Sequence, residues 1–399
     1  MRFSELPVEA RRYILYHVLV SPALIVWYAL PFYLIKIGYT VLEVGVFFTA
    51  AQLLSIPVTM WLGKIFSKTD IRKGFIIIES LDSVSTLIYG LAYGPILPLM
   101  IIVGEALGIA SESLYFLYPA YERIIYPEDR MEEALAWHLR LPEIGIIVSY
   151  PILGFILGYI CYSPECMRMF FIGVALYGIV IIAYIAKYVK PVIVTREEEP
   201  KRRQSLRRYW ERYKYYVVAE VLFTIAWSLA PSLALVYYVV EWLHGNLFHV
   251  ALLEASISTA TLTGTWITDR LGSKRPFEYL SIGTLIASLG LAAMILSDIF
   301  YIALAAVYIL RIGDAIVFVY KRSWLYRIMS REEASIVSAA LSSIRRIIRI
   351  SSPLLVGILA TLDPRMPYIG CMVFLLLTIP IYILTSRNTG TQASFDGAR

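Results

Sequence analysis

TREEEPKRRQSLRRYWERYK, Thr195–Lys214, is the centre of the longest polar stretch in the chain, Lys190–Lys214. Apolar runs near twenty residues long lie on both sides of it. Those before it fall at about 13–36, 41–62, 75–94, 97–121, 142–161 and 169–189. Those after it fall at about 214–239, 247–268, 277–296, 299–320, 344–362 and 367–385. Each is long enough to cross a hydrocarbon core ~30 Å thick. The polar stretch therefore divides the chain six and six. The expected organisation is a six-helix bundle over 1–189, a charged amphipathic connector over 190–213, and a second six-helix bundle with a short tail over 214–399.

Composition agrees with that reading. The 399 residues are 59% apolar and only 17% charged, well below the charged share of water-soluble domains. A chain this apolar uses lipid as its outer solvent, and lipid admits only helices or closed barrels, because no water is present to pair the backbone. The long unbroken runs choose helices, so the expected fold is an all-α membrane protein of about twelve transmembrane helices. The formal charge of +6 does not mark a nucleic-acid binder, since the basic residues sit in short segments between spans. All but four of the 36 Lys and Arg fall on one side: Lys36, Arg168 and Arg365 lie in loops on the other, and Arg311 lies within a span. Positive-inside bias then places that side, and with an even number of spans both termini, in the cytoplasm of a cell-membrane protein. The polar start, Met1–Arg12, precedes an apolar run too long for a signal-peptide core, and is read as leading into a retained first span.

The second half repeats the first at a shift of 202 residues. Lys68, Arg72, Lys73 and Phe75 meet Arg270, Lys274, Arg275 and Phe277; Pro151 meets Pro353; Glu112 meets Asp314. Six spans separate the copies, so both have the same orientation, related by an axis along the membrane normal.

The loop after the eighth run reads GTWITDRLGSKR, Gly264–Arg275. It resembles the signature G-x-x-x-D-R-x-G-R-K/R of the major facilitator superfamily, found between its spans two and three and often again between eight and nine. Asp269, Arg270, Gly272 and Lys274 match, while Thr265 and Ser273 depart from it. The first-half copy keeps Gly63 and the basic residues Lys68, Arg72 and Lys73, with Ser67 at the acid position and Asp70 at the glycine position. The resemblance implies a secondary transporter of two pseudo-symmetric six-helix bundles. In that reading Lys68, Arg72, Lys73, Asp269, Arg270, Gly272, Lys274 and Arg275 act as latches that tie helix ends in one conformation and release them in another. Pro151 and Gly154 are similar to the centre of an exporter motif, although packing and bending are the favoured account of both and the lean toward export is slight.

An ionisable side chain at mid-bilayer costs at least ~2.5–3.5 kcal/mol, so each one needs a partner, a wet cavity or a proton. Glu105 and Glu112 are seven apart on one helical face with Gly108 and Tyr115. Arg311 and Asp314 are three apart and can pair along their helix. In the superfamily spans one, four, seven and ten line the central cavity, so the resemblance implies that Glu105, Glu112, Arg311 and Asp314 face substrate or a coupling proton. His17 and Glu220 are placed near wet helix ends, Glu79 and Asp82 in a peripheral span, and Arg345, Arg346 and Arg349 as anchors on lipid phosphates or a helix C-terminus.

Three cysteines and four histidines show no metal-ligand spacing, so neither a metal nor a cofactor is expected. Cys161 and Cys166 flank a turn on the oxidising side, where a disulfide is an open possibility. Only five Asn and Gln occur, a scarcity of thermolabile residues that suits a protein working hot. The expected partners are a small-molecule substrate, membrane lipids and protons, with the protein a monomer. Two other classes stay open. A lipid enzyme would require a nucleophile-base or metal constellation, and a receptor or scaffold would keep the fold without flux.

Overall fold

A computed structural model describes residues 3–66, 70–127, 131–192, 206–272, 275–329 and 334–396. It is all-α. The first half contains α1 (Val8–Val20), α2 (Val26–Lys36), α3 (Val41–Phe66), α4 (Ile71–Leu91), α5 (Leu97–Glu112), α6 (Leu117–Ile125), α7 (Met131–Phe155) and α8 (Pro164–Tyr188). The second contains α9 (Leu206–Ser228), α10 (Ser232–Tyr237), α11 (Leu247–Leu271), α12 (Pro276–Leu296), α13 (Phe300–Ile328), α14 (Ala334–Leu362), α15 (Met366–Leu376) and α16 (Thr378–Asp396).

These sixteen segments make the twelve expected spans, because several spans are broken once. Pro22 breaks the first. A proline inside a helix removes an N–H and clashes with the carbonyl four residues back, so a 3-10 turn over Ser21–Ile25 joins α1 to α2, and Ser21 Oγ donates to the Val18 carbonyl at 2.9 Å. A Cβ on Gly145 of α7 would lie 2.4 Å from that hydroxyl, so α7 packs directly on the kink. Pro231 separates α9 from α10 in the same way. Among the described residues, ten of the spans are long and apolar enough to cross a membrane by length and composition. The other two are α11, rich in Thr and Ser, and α14, which carries three arginines. Several helices outrun the expected spans: α13 continues to Ile328, α14 begins at Ala334, and α9 begins at Leu206, inside the expected connector.

The chain forms two compact units, Met1–Glu199 with Asn246–Ala251, and Pro200–Gly245 with Leu252–Arg399. An aromatic core holds the first. Tyr13, Tyr16, Phe75 and Tyr121 are fully buried, with Tyr13 and Phe75 stacked at 5.8 Å and Phe75 edge-on to Tyr121 at 5.3 Å. Two histidines that look scattered in sequence meet here, with the His17 and His138 rings 4.5 Å apart. Gly154 also acts in packing, since a Cβ there would lie 2.4 Å from the Ala251 Cβ. Cys161 and Cys166 form a disulfide. In the second unit, glycines bring α12 and α13 into backbone contact. A Cβ on Gly313 would lie 2.4 Å from both the Ala287 nitrogen and the Gly283 carbonyl, and one on Gly290 would lie 2.5 Å from the Leu310 nitrogen. Small residues let helix backbones approach where lipid supplies no hydrophobic contrast. This contact fixes the rotation of α13 and hence where its charged residues point.

Candidate functional site

Among the described residues, each unit holds a cavity lined by ionisable side chains. In the first, α5 presents Glu105, Gly108 and Glu112 along one face to a space of about 90 Å³, as their sevenfold spacing requires. α4 supplies Glu79 and Asp82 to the same lining, and among the described residues no Lys or Arg takes part. Hydroxyls meet the carboxylates instead. Tyr89 Oη donates to Glu105 at 2.7 Å, Ser111 Oγ to Asp82 at 2.5 Å, and Tyr16 Oη to Glu79 at 2.5 Å. Ser85 Oγ donates to Tyr89 Oη at 2.8 Å and so orients it. Gly104 allows this closeness, because a Cβ there would lie 2.7 Å from the Tyr89 ring. Hydroxyl donors stabilise a carboxyl group without neutralising it. Ionising all four acids at once would therefore leave four like charges around a small apolar-walled space, which a proton or a bound cation must offset.

The second cavity has the opposite balance. It occupies about 640 Å³ between α9, α13 and α14, and its lining includes Arg311, Lys321, Arg322, Arg345 and Arg349 against only Glu220 and Asp314. Glu220, whose side chain is 2% exposed, bridges Lys321 at 3.0 Å and Arg345 at 2.5 Å. Arg311 reaches Asp314 at 2.6 Å along α13. The cations also lie over aromatic faces: Lys321 Nζ is 3.4 Å from the Phe223 ring centre and the Arg311 guanidinium is 5.5 Å from that of Trp227. Arg311 Nε and Trp227 Nε1 are buried with no hydrogen-bond partner among the described residues.

Glu105, Glu112, Arg311 and Asp314 thus all line cavities, and the repeat-related acids Glu112 and Asp314 occupy one cavity each. Five acidic or basic groups are placed differently from expectation. Glu79 and Asp82 line the first cavity although their span reads as peripheral. Glu220 is enclosed in the second, where a wet helix end was expected. Arg345 turns to Glu220 and Arg349 lines the same cavity, where anchors were expected. Lys321 carried no sequence signal, since it follows the apolar run of its span.

Lys68 and Lys274 of the expected latches lie outside the described residues. In the second-half loop Gly272 has φ +69°, a backbone conformation glycine adopts without steric cost. Tyr320 Oη donates to the Gly272 carbonyl at 2.6 Å and Tyr279 Oη to that of Leu271 at 3.1 Å, tying the turn to α13 and α12. Asp269 and Arg270 are exposed, with the Arg270 guanidinium 3.7 Å over the Trp266 ring. Arg275 pairs with exposed Glu278 at 3.2 Å. In the first-half loop Lys73 is exposed and Arg72 approaches Asp70 at 3.9 Å. Asp70, which replaces the signature glycine, caps α4 by accepting from Arg72 N and also accepts from Val192 N, both at 3.0 Å. The eroded loop therefore retains a tie, from the start of α4 to the segment after α8.

Residues 13–353 match the sequence profile of the Major Facilitator Superfamily. The chain belongs to this superfamily. No curated protein matches this superfamily member closely enough to be reported as a relative. Its fold is shared by solved transporters of low identity. A bacterial metal transporter aligns with TM-score 0.69 at 12% identity, over 96% of this chain and 99% of that one. A POT family transporter in complex with a thioalcohol-conjugated peptide aligns with TM-score 0.70 at 13%, over 97% and 99%. A bacterial homologue of the iron transporter ferroportin, in an inward-facing state, aligns with TM-score 0.70 at 11%, over 94% and 97%. The superfamily member is thus a multi-pass membrane transporter in fold. Among its described residues no three His, Cys, Asp or Glu are grouped to hold a metal ion.

Proposed function

We propose that this protein is a proton-coupled secondary transporter of a cell membrane, with both termini in the cytoplasm, that moves a small solute by alternating access of its two bundles. The observation that carries the coupling is the first cavity: four carboxyl groups, hydroxyl donors, and no basic residue in the lining. Charge there is tolerated when the space is wet and costly when it closes, so opening and closing alternately release and take up a proton. Glu112, with its repeat partner Asp314 in the other cavity, is the leading proton carrier. Pro151 and Gly154 tilt the direction toward export.

Proteoliposomes loaded with a pH-sensitive dye test this reading against a mixed library of organic anions, cations and neutral solutes. At least one compound should drive proton movement through the wild type. Glu112→Gln should abolish that movement while leaving exchange of the same compound without a proton gradient intact. Unchanged proton coupling in the variant removes Glu112 from the mechanism, and no flux with any compound favours a receptor or scaffold on this fold.

A further inference from the structure

The second cavity is built to receive negative charge. Leaving Arg322 aside, its lining has four cationic side chains, Arg311, Lys321, Arg345 and Arg349, and two anionic ones, a formal balance of +2. Both acids are already committed, Glu220 to Lys321 and Arg345, and Asp314 to Arg311. The arrangement also leaves two buried donors unused, Arg311 Nε and Trp227 Nε1. A buried donor with no acceptor is destabilising, and a ligand oxygen removes that penalty. A cationic solute would satisfy neither donor and would meet a net positive wall. An oxyanion offers an acceptor that both donors lack and adds a third negative group to an over-cationic lining. Phe223 and Trp227 carry apolar ring faces into the same space, and about 640 Å³ lies within the range of small-molecule sites.

We propose that this cavity binds an organic oxyanion, a carboxylate or phosphate monoester on an apolar or aromatic body, with Arg311 and Trp227 as its hydrogen-bond donors. This inference rests on the transporter reading only for its consequence, that the bound anion is the cargo; binding itself is a separate observable.

The test uses the full-length protein and four probes of similar size: phenylacetate, phenyl phosphate, benzylamine and 2-phenylethanol. Binding is read by calorimetry and by the rise in melting temperature that a ligand of the folded state produces. Both anions should bind, and benzylamine and phenylethanol should not. Because Arg311→Gln alone strands Asp314, the decisive variant is Arg311→Gln with Asp314→Asn, which removes the pair together and should abolish anion binding. Arg349→Gln, at an exposed position, should weaken it severalfold. Benzylamine binding as tightly as phenylacetate, or anion binding that survives the double variant, overturns the proposal. Nanodiscs separate the sources of the oxyanion. Affinity for phenyl phosphate that is unchanged by phosphatidylglycerol supports a soluble anion, whereas competitive loss assigns the site to a lipid headgroup and overturns the solute reading. Anion binding without any flux would leave this inference standing and remove the transporter reading; flux of a cation with no anion binding would do the reverse.

Discussion

Removing the carboxylate of Glu220 should cost more stability than removing either cation it holds. Its side chain is 2% exposed, that of Lys321 10%, and that of Arg345 40%. At 3.0 Å and an effective dielectric of about 20, one such pair attracts by roughly 5 kcal/mol. Breaking a buried pair from one side typically costs about 3–5 kcal/mol, because the surviving charge is stranded. Arg345 recovers hydration from water, so the cost of Glu220→Gln falls on Lys321 and should reach about 3–4 kcal/mol. Lys321→Met should cost less, about 1–2 kcal/mol, since Glu220 then keeps Arg345. In the double variant no buried charge is stranded, and the loss should be close to that of Lys321→Met alone. The cycle should therefore give a coupling above about 2 kcal/mol, far outside the roughly 0.3–0.5 kcal/mol scatter of independent sites. Unfolding of the four proteins in mixed micelles, titrated with a denaturing detergent and followed by tryptophan fluorescence, measures it. A coupling within that scatter would refute the bridging role of Glu220 and the charge balance derived from it.

Gly313→Leu should destabilise the second unit by about 3 kcal/mol or more, because the new side chain meets backbone on α12 at 2.4 Å; Gly173→Ala, with nothing within 4 Å of the added Cβ, should stay within about 0.5 kcal/mol in the same unfolding assay. Alkylation read by mass spectrometry should modify Cys161 and Cys166 only after reduction, and buried Cys371 only after denaturation. Replacing both paired cysteines by Ser should cost about 2 kcal/mol for so short a loop. Outside the spans, hydrogen bonds from Arg365 hold the Asp363 carboxyl below its ordinary value. The stability this confers is present above the unfolded value near ~3.9 and is lost as pH falls through the lower folded one. Melting curves should therefore show a small acid loss below about pH 4 that Asp363→Asn lacks; identical curves would exclude the contribution.

Where a property depends on neighbours in sequence, the sequence determined it. Twelve spans were legible because lipid obliges each segment to pair its own backbone, so run length alone marks a helix. Glu105 and Glu112 share a cavity because their spacing places them on one helical face, and Arg311 meets Asp314 because three residues is less than one turn. The tertiary structure alone decided which helices these faces meet. Glu79 and Asp82 reach the acid pair on α5 from another helix, and Glu220 meets Arg345 across 125 residues of sequence. In water an apolar stripe reveals which side of a helix is buried, but a lipid-facing side is as apolar as a core-facing one, so that signal is absent here. Helix rotation was settled instead by close small-residue contacts such as Gly313 on Gly283 and Ala287, which no local pattern announces.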